Sequence, residues 1–300
     1  MLRGQGAVFQ WARRLFEGAR LMHKNLANGV DFRTDKDRSA MASISAPSPR
    51  YSPRSMPPSR RPAPDARLLP TLRAIAETAR ISVPTVFDAF AGTLDRDVAD
   101  GRLAHWASQL IRAAATNIVL RGREHRAPNG AYVIMSNHQS NFDVPVLYEA
   151  LGPKMRMVAK AELFTIPIFG KAMLAAGFVR VDRAQRSEAV KSLEAASALL
   201  SDGRSLFIAP EGTRSRDGTL GPFKKGGFHL AASAALPILP VTIDGTLEIL
   251  PRGALRTVRG KSVVVTIHPP IAPSPPGDKS ALLATISAVR AAIQSALPAL

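Results

Sequence analysis

The segment Tyr132-Val133-Ile134-Met135-Ser136-Asn137-His138-Gln139-Ser140-Asn141-Phe142-Asp143 decides how the rest of the chain is read. An apolar run stops abruptly in a polar cluster that holds a histidine and, five positions later, a carboxylate. Residues 131–136 are apolar, short and follow the turn signal Pro128-Asn129-Gly130, which predicts a buried strand. The polar cluster then falls at the carboxyl end of that strand, where open α/β sheets bind ligands. Asp143 introduces Val144-Pro145-Val146-Leu147-Tyr148, a helix start with Asp at or near the cap and Pro in the first turn. In that geometry Asp143 can hold one imidazole nitrogen of His138 and leave the other as a base. Taken alone, such a pair is more often a capped turn than a catalytic one.

From residue 131 onward, strand and helix patterns alternate, which predicts an α/β fold with a mostly parallel sheet flanked by helices. Strands are expected at 131–136, 155–159, 177–182, 205–209, 238–243 and 262–268. Helices are expected at 144–151, 166–176, 186–202, 225–235 and 278–297. Upstream, residues 68–92 and 102–119 read as a helical pair, with a break or kink at Pro84. That pair packs on the core by default, or presents an apolar face to lipid.

The domain plan that follows has four parts. Residues 1–29 hold a possible basic amphipathic helix, with Val8, Ala12, Leu15, Ala19 and Met22 on one face. Residues 30–66 form a disordered Pro/Ser/Arg-rich linker that cannot bury a core. The helical segment spans 67–122, and the α/β domain 123–300.

The 300 residues carry a net charge of +17, which points to a polyanionic partner: nucleic acid, an anionic membrane surface or a phosphorylated substrate. Residues 1–66 alone hold 12 Lys and Arg against 5 Asp and Glu, so much of the basicity lies outside the α/β domain. With no cysteine, disulfides, thiolate zinc sites and Cys nucleophiles are excluded. No stretch reaches the roughly 18 uninterrupted apolar residues of a spanning helix, and no clear signal peptide is expected. No metal site is expected either.

Four blocks carry polar residues at strand ends: His138 to Asp143; Gly177-Phe178-Val179-Arg180-Val181-Asp182-Arg183; Phe207-Ile208-Ala209-Pro210-Glu211-Gly212-Thr213-Arg214; and Ile238-Leu239-Pro240-Val241. A proline within the last strand argues for an edge or a bulge. In order and spacing these blocks resemble the four motifs of the glycerolipid acyltransferases, in particular the lysophosphatidic acid acyltransferase branch. Val158 to Leu163 and Phe223 to Gly227 resemble its connecting segments. The resemblance covers about residues 125–270. One departure is Ala209, where the family usually has Phe.

The resemblance implies a glycerol-phosphate acyltransferase-like α/β domain and transfer of a fatty acyl chain from acyl-CoA or acyl carrier protein. The acceptor is the free hydroxyl of 1-acyl-glycerol 3-phosphate, and the product phosphatidic acid, with no bound cofactor. His138 would be the base and Asp143 its partner. Ser140 is a poor nucleophile candidate, because no strand-elbow-helix glycine pattern surrounds it. Arg183 and Arg214 would clamp the acceptor phosphate bidentately, and Lys160 would add a point charge. Glu211 would orient Arg214 or accept an acceptor hydroxyl, and Gly212 and Thr213 would join the phosphate and acceptor site, with the Gly212 N–H as a donor. Backbone groups around Leu239, Pro240 and Val241 would stabilise the thioester oxyanion, although strand packing is the simpler reading of Pro240. The implied partners are a lysophospholipid, an anionic membrane surface and acyl carrier protein, with the chain peripheral or monotopic on the cytoplasmic face. Two alternatives keep their place: the same chemistry on glycerol 3-phosphate or a lyso-ornithine lipid, and a non-enzymatic protein that binds nucleic acid or an anionic surface. No nucleic-acid motif is visible, so nucleic acid is not expected as a partner.

Overall fold

A computed structural model describes residues 68–181, 203–254 and 256–298. The expected amphipathic helix at 1–29, the linker at 30–66 and the helix at 186–202 lie outside the described residues, as do Asp182 and Arg183.

The strands are β1 (Asn117–Arg121), β2 (Val133–Ser136), β3 (Met155–Lys160), β4 (Val179–Val181), β5 (Ser205–Ile208), β6 (Ile238–Asp244) and β7 (Ser262–Ile267). They form a seven-stranded sheet in the order β1-β7-β6-β2-β5-β3-β4. β2 lies at its centre, parallel to β5 on one side and β6 on the other. Its four residues are all buried, which explains a continuous apolar run in place of an alternating one. Val133 and Met135 face one core layer with Leu206, Phe228, Val289 and Ile293; Ile134 faces the other with Leu110, Val146, Leu147 and Val265. Among the described strands, β6 and β7 pair antiparallel, and β1 is parallel to β7. The expectation of a mostly parallel sheet with flanking helices therefore holds.

The helices are α1 (Leu69–Phe90), α2 (Arg96–Ala113), α3 (Asp143–Leu151), α4 (Phe169–Ala175), α5 (Gly226–Ser233), α6 (Thr246–Ile249) and α7 (Lys279–Ser295). Two corrections concern the helical pair. α1 runs through Pro84 without a break. α2 starts at Arg96 behind an Asp95 cap and stops at Ala113, and residues 117–121 are not helix but the edge strand β1. Ala115 turns the chain at φ 47°, and the β-branched residues Ile118 and Val119 pair with β7.

α1 and α2 join the α/β unit through buried charges. Asp100 of α2 accepts from Arg156 of β3 at 2.5 Å and from Arg204 at 3.0 Å. Arg156, 1% exposed, also donates to the carbonyls of Met155, Pro153 and Ala176. Tyr148 packs edge-on against Trp106, donates to the Met155 carbonyl, and has its pKa pushed up by burial.

Pro240 sits inside β6, which is an interior strand, so the edge reading fails and the bulge reading explains it. The register between Val241↔Ile267 and the Ile238↔Ile271 bridge slips by one residue opposite Pro240. The Pro240 carbonyl accepts from His268 N on the β7 side, so the ring nitrogen faces that side too and the β2 ladder loses no donor.

Candidate active site

β2, β3, β5 and β6 are parallel, so the segments that follow them converge on one edge of the sheet. His138 stands two residues beyond β2, Glu211 three beyond β5, Thr246 two beyond β6, and Lys160 ends β3.

The turn from β2 to α3 is built around one carboxylate. Asp143 is fully buried at the first position of α3. Its Oδ2 accepts from His138 Nδ1 at 2.7 Å and from the backbone N–H groups of Gln139 (2.8 Å) and Ser140 (3.0 Å). Its Oδ1 accepts from the Thr246 hydroxyl. Four donors satisfy both oxygens of this buried carboxyl group. They also fix the histidine: with Nδ1 donating to the carboxylate, Nε2 is the lone-pair nitrogen. The His138 side chain is 21% exposed, and Nε2 makes no hydrogen bond among the described residues. The expected pairing of His138 with Asp143 is therefore formed. Asp143 itself bonds backward into the turn instead of capping its own helix.

The rest of the turn is held from three directions. The Asn137 side chain brackets Ile243 of β6, with Nδ2 donating to its carbonyl at 2.7 Å and Oδ1 accepting from its N–H at 2.8 Å. The Ser140 hydroxyl donates to the Leu250 carbonyl at 2.7 Å and accepts from Phe142 N. Fully buried and so engaged, Ser140 is not a nucleophile. From the third side, Ser215 N donates to the His138 carbonyl at 2.7 Å.

Glu211 differs from its expected role. It is buried, and its carboxylate accepts from His138 N at 2.9 Å and Gly221 N at 2.8 Å. It ties two loops together and neither orients Arg214 nor opens to an acceptor hydroxyl. Burial pushes its pKa up, against the pull of those two N–H donors and of His138. Gly212, at φ 71°, donates its N–H to Ala209 O at 3.0 Å, which takes that group into the turn. Thr213 is exposed.

Arg214 is half-buried. Burial lowers its pKa, Arg252 lowers it further, and Asp143 opposes both. Its side chain has no ion pair among the described residues, while Arg252 donates to its carbonyl at 3.2 Å. Lys160 pairs with Glu162 at 2.6 Å, the simple surface reading of that residue. Leu239, Pro240 and Val241 are buried inside β6, paired with Ile134, Met135 and Ser136. Leu239 and Val241 direct their backbone groups into the β2 ladder and Pro240 has no N–H, so none supplies an oxyanion donor. Among the described residues, no group of three or more His, Asp or Glu could hold a metal ion.

Sequence reasoning missed Thr246, Asn137 and Arg252. The only cue for Thr246 was its place two residues after β6, on the same edge as His138. It also missed Arg290 of α7, which donates to Leu220 O at 2.8 Å and stacks over Phe223, bracing the loop that meets Glu211.

Residues 117–244 match the family model described as Acyltransferase. The chain is 42% identical over 139 residues to the chloroplastic 1-acyl-sn-glycerol-3-phosphate acyltransferase BAT2 of Brassica napus, covering 46% of this chain and 40% of that protein. It is 33% identical over 203 residues to a 1-acyl-sn-glycerol-3-phosphate acyltransferase of Chlamydomonas reinhardtii, covering 66% of this chain and 59% of that protein. The chain thus spans about half the length of these curated relatives. Its fold matches the crystal structure of the 1-acyl-sn-glycerophosphate (LPA) acyltransferase PlsC from Thermotoga maritima, with TM-score 0.61 and 24% identity over 78% of this chain and 98% of that one. The matched segment runs from β1 to the end of β6, and so contains the strands that position His138 and Asp143.

Proposed function

We propose that the protein transfers a fatty acyl chain from a thioester, acyl-CoA or acyl carrier protein, to the free hydroxyl of 1-acyl-glycerol 3-phosphate. The observation that carries this reading is the His138–Asp143 pair at 2.7 Å, with Nε2 open at the sheet edge. Nε2 takes the hydroxyl proton as the oxygen attacks the thioester carbonyl and the new C–O bond forms. Collapse of the tetrahedral intermediate breaks the C–S bond, and the thiolate leaves with that proton. Asp143 holds the tautomer and balances the imidazolium charge.

Arg214 and Arg252 form a cationic pair beside this turn, which supports a phosphorylated acceptor. Arg183 belongs to the same proposed clamp. Removing one charged donor weakens a phosphate contact by about 1.5–3 kcal/mol, roughly 10- to 100-fold. Arg214→Ala should therefore raise the acceptor KM by about that factor, with a smaller change in kcat. The assay is labelled transfer from each donor to a panel of 1-acyl-glycerol 3-phosphate, glycerol 3-phosphate and a lyso-ornithine lipid. An unchanged KM for the phosphorylated acceptors would remove Arg214 from the clamp; transfer to a different acceptor would move the substrate but keep the base.

We place the protein peripherally on the cytoplasmic face of a membrane with an anionic surface. Leu69, Leu72, Val83, Phe87 and Phe90 of α1 are exposed and fall within a 60° arc at about 100° per residue, an apolar stripe bordered on one side by Arg73 and Arg80. Phe87 is 75% and Phe90 94% exposed. No helix among the described residues is long and apolar enough to cross a membrane. Burying a Phe side chain is worth about 1.5–3 kcal/mol, so Phe87→Ser with Phe90→Ser should weaken co-sedimentation with anionic vesicles by at least ~10-fold. Equal binding by wild type and variant would sink the stripe as the contact.

A further inference from the structure

The edge of the sheet opposite His138 holds a second polar concavity. Because β2, β3 and β5 are parallel, the chain enters all three at that edge. The Arg126–Gly130 loop precedes β2, Lys154 precedes β3 and Gly203-Arg204 precedes β5. With Asp97 from the first turn of α2, they enclose a cavity of about 260 Å3. The loop is held in place: Ala127 N donates to the Tyr132 hydroxyl at 3.1 Å, and Tyr132 N donates to Ser205 Oγ at 3.1 Å.

Among the described residues, the charges around this cavity do not balance. Arg204 reaches Asp97 at 3.4 Å and Asp100 at 3.0 Å, and Asp100 also serves Arg156. Those two carboxylates are matched by those two arginines. Arg126 and Lys154 remain, and neither has an ion pair among the described residues. The Arg126 Nε is buried without a hydrogen-bond partner. Burial lowers the Arg126 pKa; Tyr132 opposes that effect and Arg123 adds to it. A buried donor left unpaired on a charged group costs about 1–3 kcal/mol or more. Native proteins rarely leave such a group without a ligand, a water or an ion.

We propose that this cavity is an anion site for a phosphomonoester, with Arg126 and Lys154 as its charged donors. A dianion matches two unbalanced cations, and the guanidinium fork matches a phosphate. The volume lies below the roughly 300–1,000 Å3 of ordinary small-molecule pockets, which suits a headgroup-sized ligand and excludes a whole coenzyme A. Two sources share that chemistry: a free phosphate ester and the headgroup of phosphatidic acid in a bilayer. The second is within reach, because the exposed ring of Phe90 precedes Asp97 by only seven residues.

The test separates this site from the acceptor clamp by working in the Arg214→Ala protein. Full-length Arg214→Ala is titrated calorimetrically with inorganic phosphate, then again with Arg126→Gln or Lys154→Gln added. Phosphate binding that persists in Arg214→Ala and weakens at least ~10-fold with either addition supports the site. Lys154 is exposed, so Lys154→Gln keeps the test valid if Arg126→Gln perturbs folding. Phosphatidylcholine vesicles with and without phosphatidic acid then identify the source. A phosphatidic-acid-dependent gain that Arg126→Gln removes assigns the lipid headgroup, and unaltered vesicle binding alongside lost phosphate binding assigns a soluble ester. Identical phosphate titration curves for all three proteins overturn the proposal, whatever the outcome for acyl transfer.

Discussion

His138→Ala is expected to lower acyl transfer by about 10²–10⁴-fold, the usual contribution of a positioned general base, while the thermal transition stays cooperative. The separation of fold from function follows from how the turn is held. The backbone of residue 138 keeps its bonds from Ser215 N and to Glu211, and neither involves the imidazole. Asp143 retains Gln139 N, Ser140 N and the Thr246 hydroxyl. What disappears is the imidazole, whose Nε2 carries a free lone pair at this edge. Steady-state transfer beside a melting curve checks both halves, and a variant with more than a tenth of wild-type activity would eliminate His138 as the base.

Asp143→Asn tests charge apart from geometry. An asparagine can dock with its oxygen toward His138 Nδ1 and the two backbone N–H groups, and its NH2 toward Thr246, whose hydroxyl rotates to accept. The tautomer then survives, but the negative charge facing the imidazolium does not. On that account kcat falls by about 10²–10⁴-fold with little change in KM. A large rise in KM at unchanged kcat would make Asp143 a scaffold of the acceptor site. The alternative orientation, NH2 toward three N–H donors, would show as a loss of stability in the same melting experiment.

The His138–Asp143 pair was legible because its two members are five residues apart, just beyond one strand end. Sheet parallelism was legible for the same reason, since each strand carries its pattern in a few consecutive residues. Less local features were not. Asn137 was visible, but its bracket on Ile243 joins residues 106 positions apart. Glu211 was assigned toward Arg214, its neighbour in sequence, whereas its carboxylate turns to His138 N across 73 positions. The β-branched run of β1 was read as the tail of α2, because its partner β7 lies about 145 residues downstream and β1 has no hairpin signal. Pro240 was read as an edge or a bulge, and choosing between them needs the register slip beside it, which depends on where His268-Pro269-Pro270 falls against β6. Leu239 to Val241 were given an oxyanion role from motif order alone, which does not say which way a backbone faces.

The Asp100 ion network beneath α2 has a consequence for how substrate is reached. Pulling the helical pair away would take Asp100 with it and leave Arg156 and Arg204 without their carboxylate, and leaving one buried charge uncompensated already costs about 3–5 kcal/mol. A detached hairpin is thus populated at about 1% or less. The apolar stripe of α1 is accordingly a spacer of set length, not a tether, and His138 stays at one height above whatever surface the stripe rests on. In the proposed reaction, a lipid acceptor has to bring its hydroxyl to that height.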